Sequence, residues 1–209
     1  MIPKEPLPRL CALTDLTASG ARDHATLAVR LFAAGVRWVQ IREKRLPDRV
    51  LAEDLRRAAA SAPPGGLVLA NDRPDLALVA GASGVHLGDR DLPPEAARRL
   101  LGDTAVIGLS THAAADAIAA FVRPVDYVAI GPIFESPTKA GVRAALGVEE
   151  IARARARVAR PIVAIGGITP ERAGDVLAAG ADAIAVISGL WHGRLEDRVA
   201  AFEKALGGL

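Results

Sequence analysis

The stretch "AAGVRWVQIREK", Ala33 to Lys44, holds one structural unit and the start of a functional one. Small residues run up to Gly35, where a helix can end in the left-handed conformation that glycine adopts without a Cβ clash. Val36, Trp38, Val39 and Ile41 then form a short apolar run, and Gln40, Arg42, Glu43 and Lys44 crowd its far end. The same order of helix end, glycine and apolar run recurs in "VAGASGV", Val79 to Val85, and in "LAAGADAI", Leu177 to Ile184.

Apolar runs of this kind fall at 9–15, 36–42, 67–70, 84–87, 105–109, 126–130, 161–165 and 182–187. Segments rich in Ala, Leu and Arg alternate with them at about 23–34, 48–61, 74–80, 93–101, 112–120, 147–159, 170–179 and 196–206. The runs are too short for helices and lack the alternation of half-buried strands, so they read as strands buried on both faces. Strand–helix alternation implies parallel βαβ units. Eight of them predict an α/β fold, a single (β/α)8 TIM barrel, with residues 1–209 as one domain. An open doubly wound sheet is the alternative, but it calls for an early G-x-G-x-x-G turn that the chain does not contain. Punctuation agrees: Pro74, Pro93 and Pro170 stand near first helical positions, Thr169 stands in an N-cap region, and Gly81, Gly102 and Gly180 stand where helices close.

The chain has 209 residues, 51% of them hydrophobic, enough to bury one core. Its 26 basic and 24 acidic residues nearly cancel, to a net +2, and aromatics are 3%. With no basic block and no interleaved aromatics, nucleic acid is not an expected partner. No run reaches the roughly 20 apolar residues of a membrane helix. The start, "MIPKEPLPRL", lacks the apolar core of a secretory signal. The expectation is a cytoplasmic protein without a membrane partner; a homo-oligomer stays open. The single cysteine, Cys11, excludes an internal disulfide, and its apolar surroundings predict a buried, inert thiol.

In such a barrel, function lies on the loops after the strands. Those loops carry Gln40, Arg42 and Lys44; "NDR" at 71–73; "HLGDRD" at 86–91; Ser110, Thr111 and His112; "GPIFESPTKAG" at 131–141; "GGIT" at 166–169; and "ISGL" at 187–190. Paired glycines before a helix offer free backbone N–H groups to an anion, and Ser188 and Gly189 complete a phosphate pocket. Asp72 and Asp91 are hard oxygen ligands on adjacent loops, as Mg2+ requires when substrate phosphates supply the rest. Arg42, Lys44 and Lys139 add the cations that a diphosphate needs. The long loop after the sixth strand, about Phe134 to Ala144, brings Ser136, Thr138 and Lys139 between Pro132, Pro137 and Gly141, a pattern suited to closing over substrate. His86 reads as a hydrogen-bonded core residue, His112 as the opening of a helix, and His24 and His192 have no evident partner. No zinc spacing and no G-x-S-x-G motif is present.

These loops together resemble the thiamine phosphate synthase family over nearly the whole chain. "VQIREK" is similar to the family's pyrimidine-diphosphate strand and implies binding by Gln40, Ile41, Arg42, Glu43 and Lys44. "NDRPDLALVAGASGVHLGDRD" resembles its metal segment, implying Asn71 on the diphosphate and Asp72 and Asp91 on Mg2+. "IGLSTH" supplies Ser110, "GPIFESPTK" supplies Ser136, Pro137, Thr138 and Lys139, and "AIGGI" with "AVISGL" supplies Gly167, Ile187 and Ser188 for the thiazole phosphate. The resemblance implies catalytic roles for Arg42, Lys44, Ser110 and Lys139, with two small-molecule substrates, hydroxymethylpyrimidine diphosphate and hydroxyethylthiazole phosphate. Two positions depart from the family pattern: Asp89 stands where Gln is usual, and Ser136 where Thr is usual. Related readings are a thiazole tautomerase, which loses the metal acids and in some cases has His in place of Pro132, and a non-catalytic regulator that binds a phosphorylated ligand.

Overall fold

Every apolar run becomes a strand, because only a parallel sheet covered by helices hides residues on both faces. The computed structural model of the chain describes residues 6–135 and 144–207. The strands are β1 (Leu10–Leu13), β2 (Trp38–Ile41), β3 (Leu67–Asn71), β4 (Gly84–Leu87), β5 (Val106–Thr111), β6 (Tyr127–Ile130), β7 (Ile162–Ile165) and β8 (Ala183–Val186). Each pairs in parallel with its neighbour in sequence, and β8 closes on β1 through Cys11 opposite Ala185. The closed barrel therefore has no free edge.

The described helices are α1 (Leu16–Ser19), α2 (His24–Ala33), α3 (Asp48–Ser61), α4 (Pro74–Ala80), α5 (Pro94–Leu101), α6 (Ala114–Ala120), α7 (Glu149–Arg155), α8 (Pro170–Ala178) and α9 (Leu195–Ala205). None of them is long and apolar enough to cross a membrane. Pro74 and Pro170 occupy first helical positions, whereas Pro93 is the cap and Pro94 the first helical residue. Thr169 caps α8 by position but without a side-chain bond to the helix backbone. Two elements are additional to the sequence reading. Helix α1 is bounded by Asp15, whose carboxylate accepts from Ala18 N–H, and by left-handed Gly20. A 3-10 turn, Ser188–Leu190, follows β8.

Two apolar layers result. The outer one joins strands to helices through Leu27, Leu31, Val39, Ile41, Leu55, Ile107, Ile151 and Phe202, all buried. The inner one fills the barrel with Cys11, Leu13, Trp38, Leu69, Tyr127, Ala129, Val163, Ala183 and Ala185. Trp38 meets Tyr127 edge-on, with ring centroids 5.1 Å apart. Gly108 makes room for that tyrosine, since a Cβ there would lie 2.0 Å from Tyr127 Cζ. At the strand entrances an aspartate and an arginine recur as a tie. Asp126 accepts from Ile107 N–H and from Arg98 at 2.6 Å, and Asp182 accepts from Ile162 N–H and from Arg155 at 2.6 Å. The opposite end is left for the loops.

Candidate active site

At the strand exits a cavity of about 700 Å3 opens into the barrel. Its floor is the inner layer: Cys11, Trp38, Tyr127, Ala129, Val163 and Ala185. Burial pushes the Cys11 thiol and the Tyr127 phenol well above their usual ranges, so both are neutral groups. That agrees with an inert cysteine. Above the floor, His86 spans two hydroxyls: Nδ1 lies 2.8 Å from Tyr127 Oη and Nε2 lies 2.8 Å from Ser110 Oγ. The ring also stacks on Tyr127, with centroids 5.5 Å apart. His86 is thus hydrogen-bonded as the sequence suggested but is not a core residue: it is partly buried and lines the cavity, where it fixes the hydroxyl of Ser110. His112 departs from expectation. Helix α6 starts at Ala114, and His112 lines the cavity with Nδ1 3.0 Å from the Gly131 carbonyl. A carbonyl only accepts, so Nδ1 carries the proton.

The end of β2 delivers Gln40, Arg42 and Lys44 to the cavity wall. Gln40 donates to Asn71 Oδ1 across the β2–β3 pair at 3.2 Å, and both are buried. Lys44 Nζ reaches Asp72 Oδ2 at 3.3 Å. The alternation of the strand keeps two neighbours out of the cavity wall. Ile41 is buried in the outer layer against the helices. Glu43 turns its carboxylate to His24, 3.1 Å away, so neither side chain lines the cavity. Arg90 does line it, a cation that sequence reasoning missed because it stands in a charged loop with nothing to single it out.

Asp72 has a left-handed backbone, φ 66°, the one described non-glycine residue with a positive φ. Such strain persists where the surroundings over-determine it. Here Asp72 N–H is held by the His86 carbonyl at 2.8 Å, a bond that extends the β3–β4 pairing. Partial burial and the Asp91 carboxylate raise the Asp72 carboxyl above its usual range, against the pull of Lys44. Asp91 is anchored by Gly88 N–H at 2.6 Å. The two acids therefore stand close enough for the charge of one to disfavour that of the other, a conflict that a bound cation would relieve. Among the described residues no third acid, histidine or cysteine joins them. That donor set fits Mg2+, which keeps positions open for phosphate oxygens.

Across the mouth, Gly166, Gly167, Ile187, Ser188 and Gly189 line the wall after β7 and β8. Gly167 has φ 63°, and a Cβ there would lie 2.4 Å from the Glu135 carbonyl. Only backbone is presented at that point. The loop leads into α8, and the turn Ser188–Leu190 stands beside it, tied down where Arg198 Nε donates to the Gly189 carbonyl at 2.9 Å. Loops after strands seven and eight with a short extra helix are the usual phosphate seat of this fold. Ser136, Pro137, Thr138 and Lys139 lie outside the described residues, as does the proposed closure of their loop.

Fold and cavity define a (β/α)8 barrel of the enzyme type, with Arg42, Lys44 and Arg90 on one arc of the cavity wall and Gly166, Gly167 and Ser188 on another, while Asp72 stands behind Lys44 and neither it nor Asp91 or Asn71 lines the cavity. The family model described as thiamine monophosphate synthase matches residues 10–190, and the chain belongs to that family. A thiamine-phosphate synthase of Methanoculleus marisnigri is 43% identical over 182 residues, covering 86% of this chain and 85% of that protein. A putative thiamine-phosphate synthase of Geobacter sulfurreducens is 40% identical over 183 residues, 87% of this chain and 85% of its own. The solved structure of a thiamine phosphate pyrophosphorylase from Pyrococcus furiosus superposes with a TM-score of 0.84 at 28% identity, covering 95% of both chains. The chain is a transferase of this type.

Proposed function

We propose that the chain condenses hydroxymethylpyrimidine diphosphate with hydroxyethylthiazole phosphate, giving thiamine phosphate and pyrophosphate. The observation that supports this most is one cavity with two chemically unlike arcs. Arg42, Lys44 and Arg90 enter from the β2 and β4 loops, and Gly166, Gly167 and Ser188 from the β7 and β8 loops. A diphosphate carries more charge and suits the first; a monoester suits the backbone seat. Asp72 and Asp91 would hold Mg2+, which when bound neutralises charge on the diphosphate oxygens.

The residues divide the work as follows. Arg42 and Lys44 bind the diphosphate and stabilise the charge that grows as the bond to the pyrimidine CH2 breaks. Lys139, from the loop after β6, adds to this. Ser110, its hydroxyl fixed by His86, orients the pyrimidine amino group. The apolar floor of Trp38, Tyr127 and Ala129 receives the ring and keeps water from a carbocation-like centre. Gly167 and Ser188 hold the thiazole phosphate so that the ring nitrogen faces that centre. The nitrogen attacks with its own lone pair, so no strong base is needed. Neighbouring hydroxyls already engage both His86 ring nitrogens. The test is a coupled assay with both substrates, with and without Mg2+, measuring pyrophosphate release. Release that needs both substrates and the metal is expected. Conversion of the thiazole phosphate alone would replace this reading with the tautomerase.

A further inference from the structure

His24 is buried to 1% exposure at the first turn of α2, outside the cavity and far in sequence from everything it touches. Its backbone N–H donates to Asp54 on α3 at 3.1 Å, which docks the start of α2 onto its neighbour. Its ring then reaches across the exits of β1 and β2. Nδ1 lies 2.8 Å from Thr14 Oγ1, and Nε2 lies 3.1 Å from Glu43 Oε2. Both partners hold the backbone of the cation loop. Thr14 Oγ1 accepts from Arg42 N–H at 3.1 Å. Glu43 Oε1 accepts from Lys44 N–H and Arg45 N–H, each at 2.6 Å.

For the neutral ring the donor count selects one tautomer. A carboxylate only accepts, so Nε2 carries a proton toward Glu43. Thr14 Oγ1 already accepts from Arg42, so its hydroxyl proton is free to go to Nδ1. The Nε2–H tautomer thus satisfies every partner, and a single imidazole fixes the hydroxyl and the carboxylate that hold three backbone amides. The geometry also explains the alternation along this loop. Glu43 faces His24, which sends its neighbours Arg42 and Lys44 to the cavity.

We infer that His24 is a positioning residue for the anion-binding loop Arg42–Arg45: it sets where the Arg42 and Lys44 side chains meet the diphosphate, without touching substrate. The inference rests on the function proposed above for that loop, but its structural half can be tested apart from it. Hydrogen exchange at the amides of Arg42, Lys44 and Arg45 is measured in wild type, His24→Ala, His24→Gln and Thr14→Val, each first checked for cooperative unfolding. Exchange at these amides should quicken about tenfold or more in His24→Ala, as it does when local opening becomes easier. His24→Gln, which restores a donor toward Glu43, should recover most of the protection. Thr14→Val removes the acceptor for Arg42 N–H in a near-isosteric way, and so still carries the test where His24→Ala does not fold.

Kinetically, the KM for the pyrimidine diphosphate should rise about tenfold in His24→Ala and Thr14→Val, while that for the thiazole phosphate stays within about twofold, since ångström shifts in a positioning group carry such costs. A wild type that exchanges as expected but turns over neither substrate would overturn the proposed reaction and leave the positioning role standing. Unchanged exchange at all three amides in the folded variants, or equal rises in both KM values, would overturn the role of His24.

Discussion

Replacing Gly108 by alanine adds one methyl group whose effect reaches the Ser110 hydroxyl through Tyr127 and His86. The added Cβ would lie 2.0 Å from Tyr127 Cζ and 2.3 Å from its oxygen. Carbon atoms rest at about 3.5–4.0 Å, so the tyrosine must retreat by about 1.5 Å. It cannot do so freely, because it is fully buried against Trp38 and bonded to His86. Overpacking of this kind costs about 1–3 kcal/mol, and a lost buried hydrogen bond adds about 1 kcal/mol. A total near 3 kcal/mol in a chain of this size lowers Tm by about 6–12 °C, at roughly 2–4 °C per kcal/mol. The displaced Tyr127 carries His86 with it, and His86 holds Ser110 at 2.8 Å. Turnover should therefore fall at least about tenfold in the fraction that remains folded, since a 1 Å misplacement can cost on the order of a hundredfold. Thermal unfolding followed by circular dichroism, with kcat measured well below the transition, gives both numbers. A Tm within about 2 °C of wild type together with an unchanged kcat would refute the chain of contacts from Gly108 through Tyr127 to Ser110.

Asp72→Asn and Asp91→Asn should each lower Mg2+-dependent turnover by about a hundredfold or more, the scale of losing a main electrostatic stabiliser; near-normal rates at saturating Mg2+ would exclude the pair as metal ligands. Gly167→Val should raise the KM for the thiazole phosphate selectively, because the left-handed backbone and the 2.4 Å approach to the Glu135 carbonyl leave no room for a side chain. Equal effects on both substrates would count against two separate seats. Asp23 caps α2, and although burial works the other way, the Thr26 N–H and hydroxyl with Arg22 and Arg57 bring its carboxyl from 3.8 down to about 2. Its folded value lies below the unfolded one, so its contribution is complete above about pH 4 and is lost as the pH falls through about 2. Asp23→Ala should thus cost about 1 kcal/mol near neutral pH, and the gap to wild type should close on acidification. Urea denaturation at pH 7 and pH 2.5 measures it.

The barrel was legible because each unit repeats one local pattern, and residues such as Gly35, Gly81 and Gly180 mark the joints. Helix α1 went unread although "DLTASG" holds its cap and stop, since a single turn has no apolar period to detect. The cavity wall was legible where a residue sits directly after a strand, as with Arg42, Lys44 and Gly167. The site was not legible where function depends on distant partners. His24 meets Thr14, Glu43 and Asp54 only because barrel closure and helix packing bring 10, 19 and 30 residues of separation to contact distance. Strand alternation is also blind to a motif's edges: "QIREK" reads as one binding string, yet the pleat and the turn send Ile41 and Glu43 away from the cavity.

The inner layer is lopsided. Trp38, Leu69 and Tyr127 are large, while Ala129, Ala183 and Ala185 are small. Interiors gain stability from every methylene that fills a gap. The alanines therefore mark places where the chain gives up core packing to keep a hollow. Selection for thermal resistance alone, with no demand for catalysis, should enlarge Ala129 and Ala185 first, since both border the void. Such a population would become sturdier and go silent at the same positions, so that robustness and turnover trade against each other along one wall of the barrel.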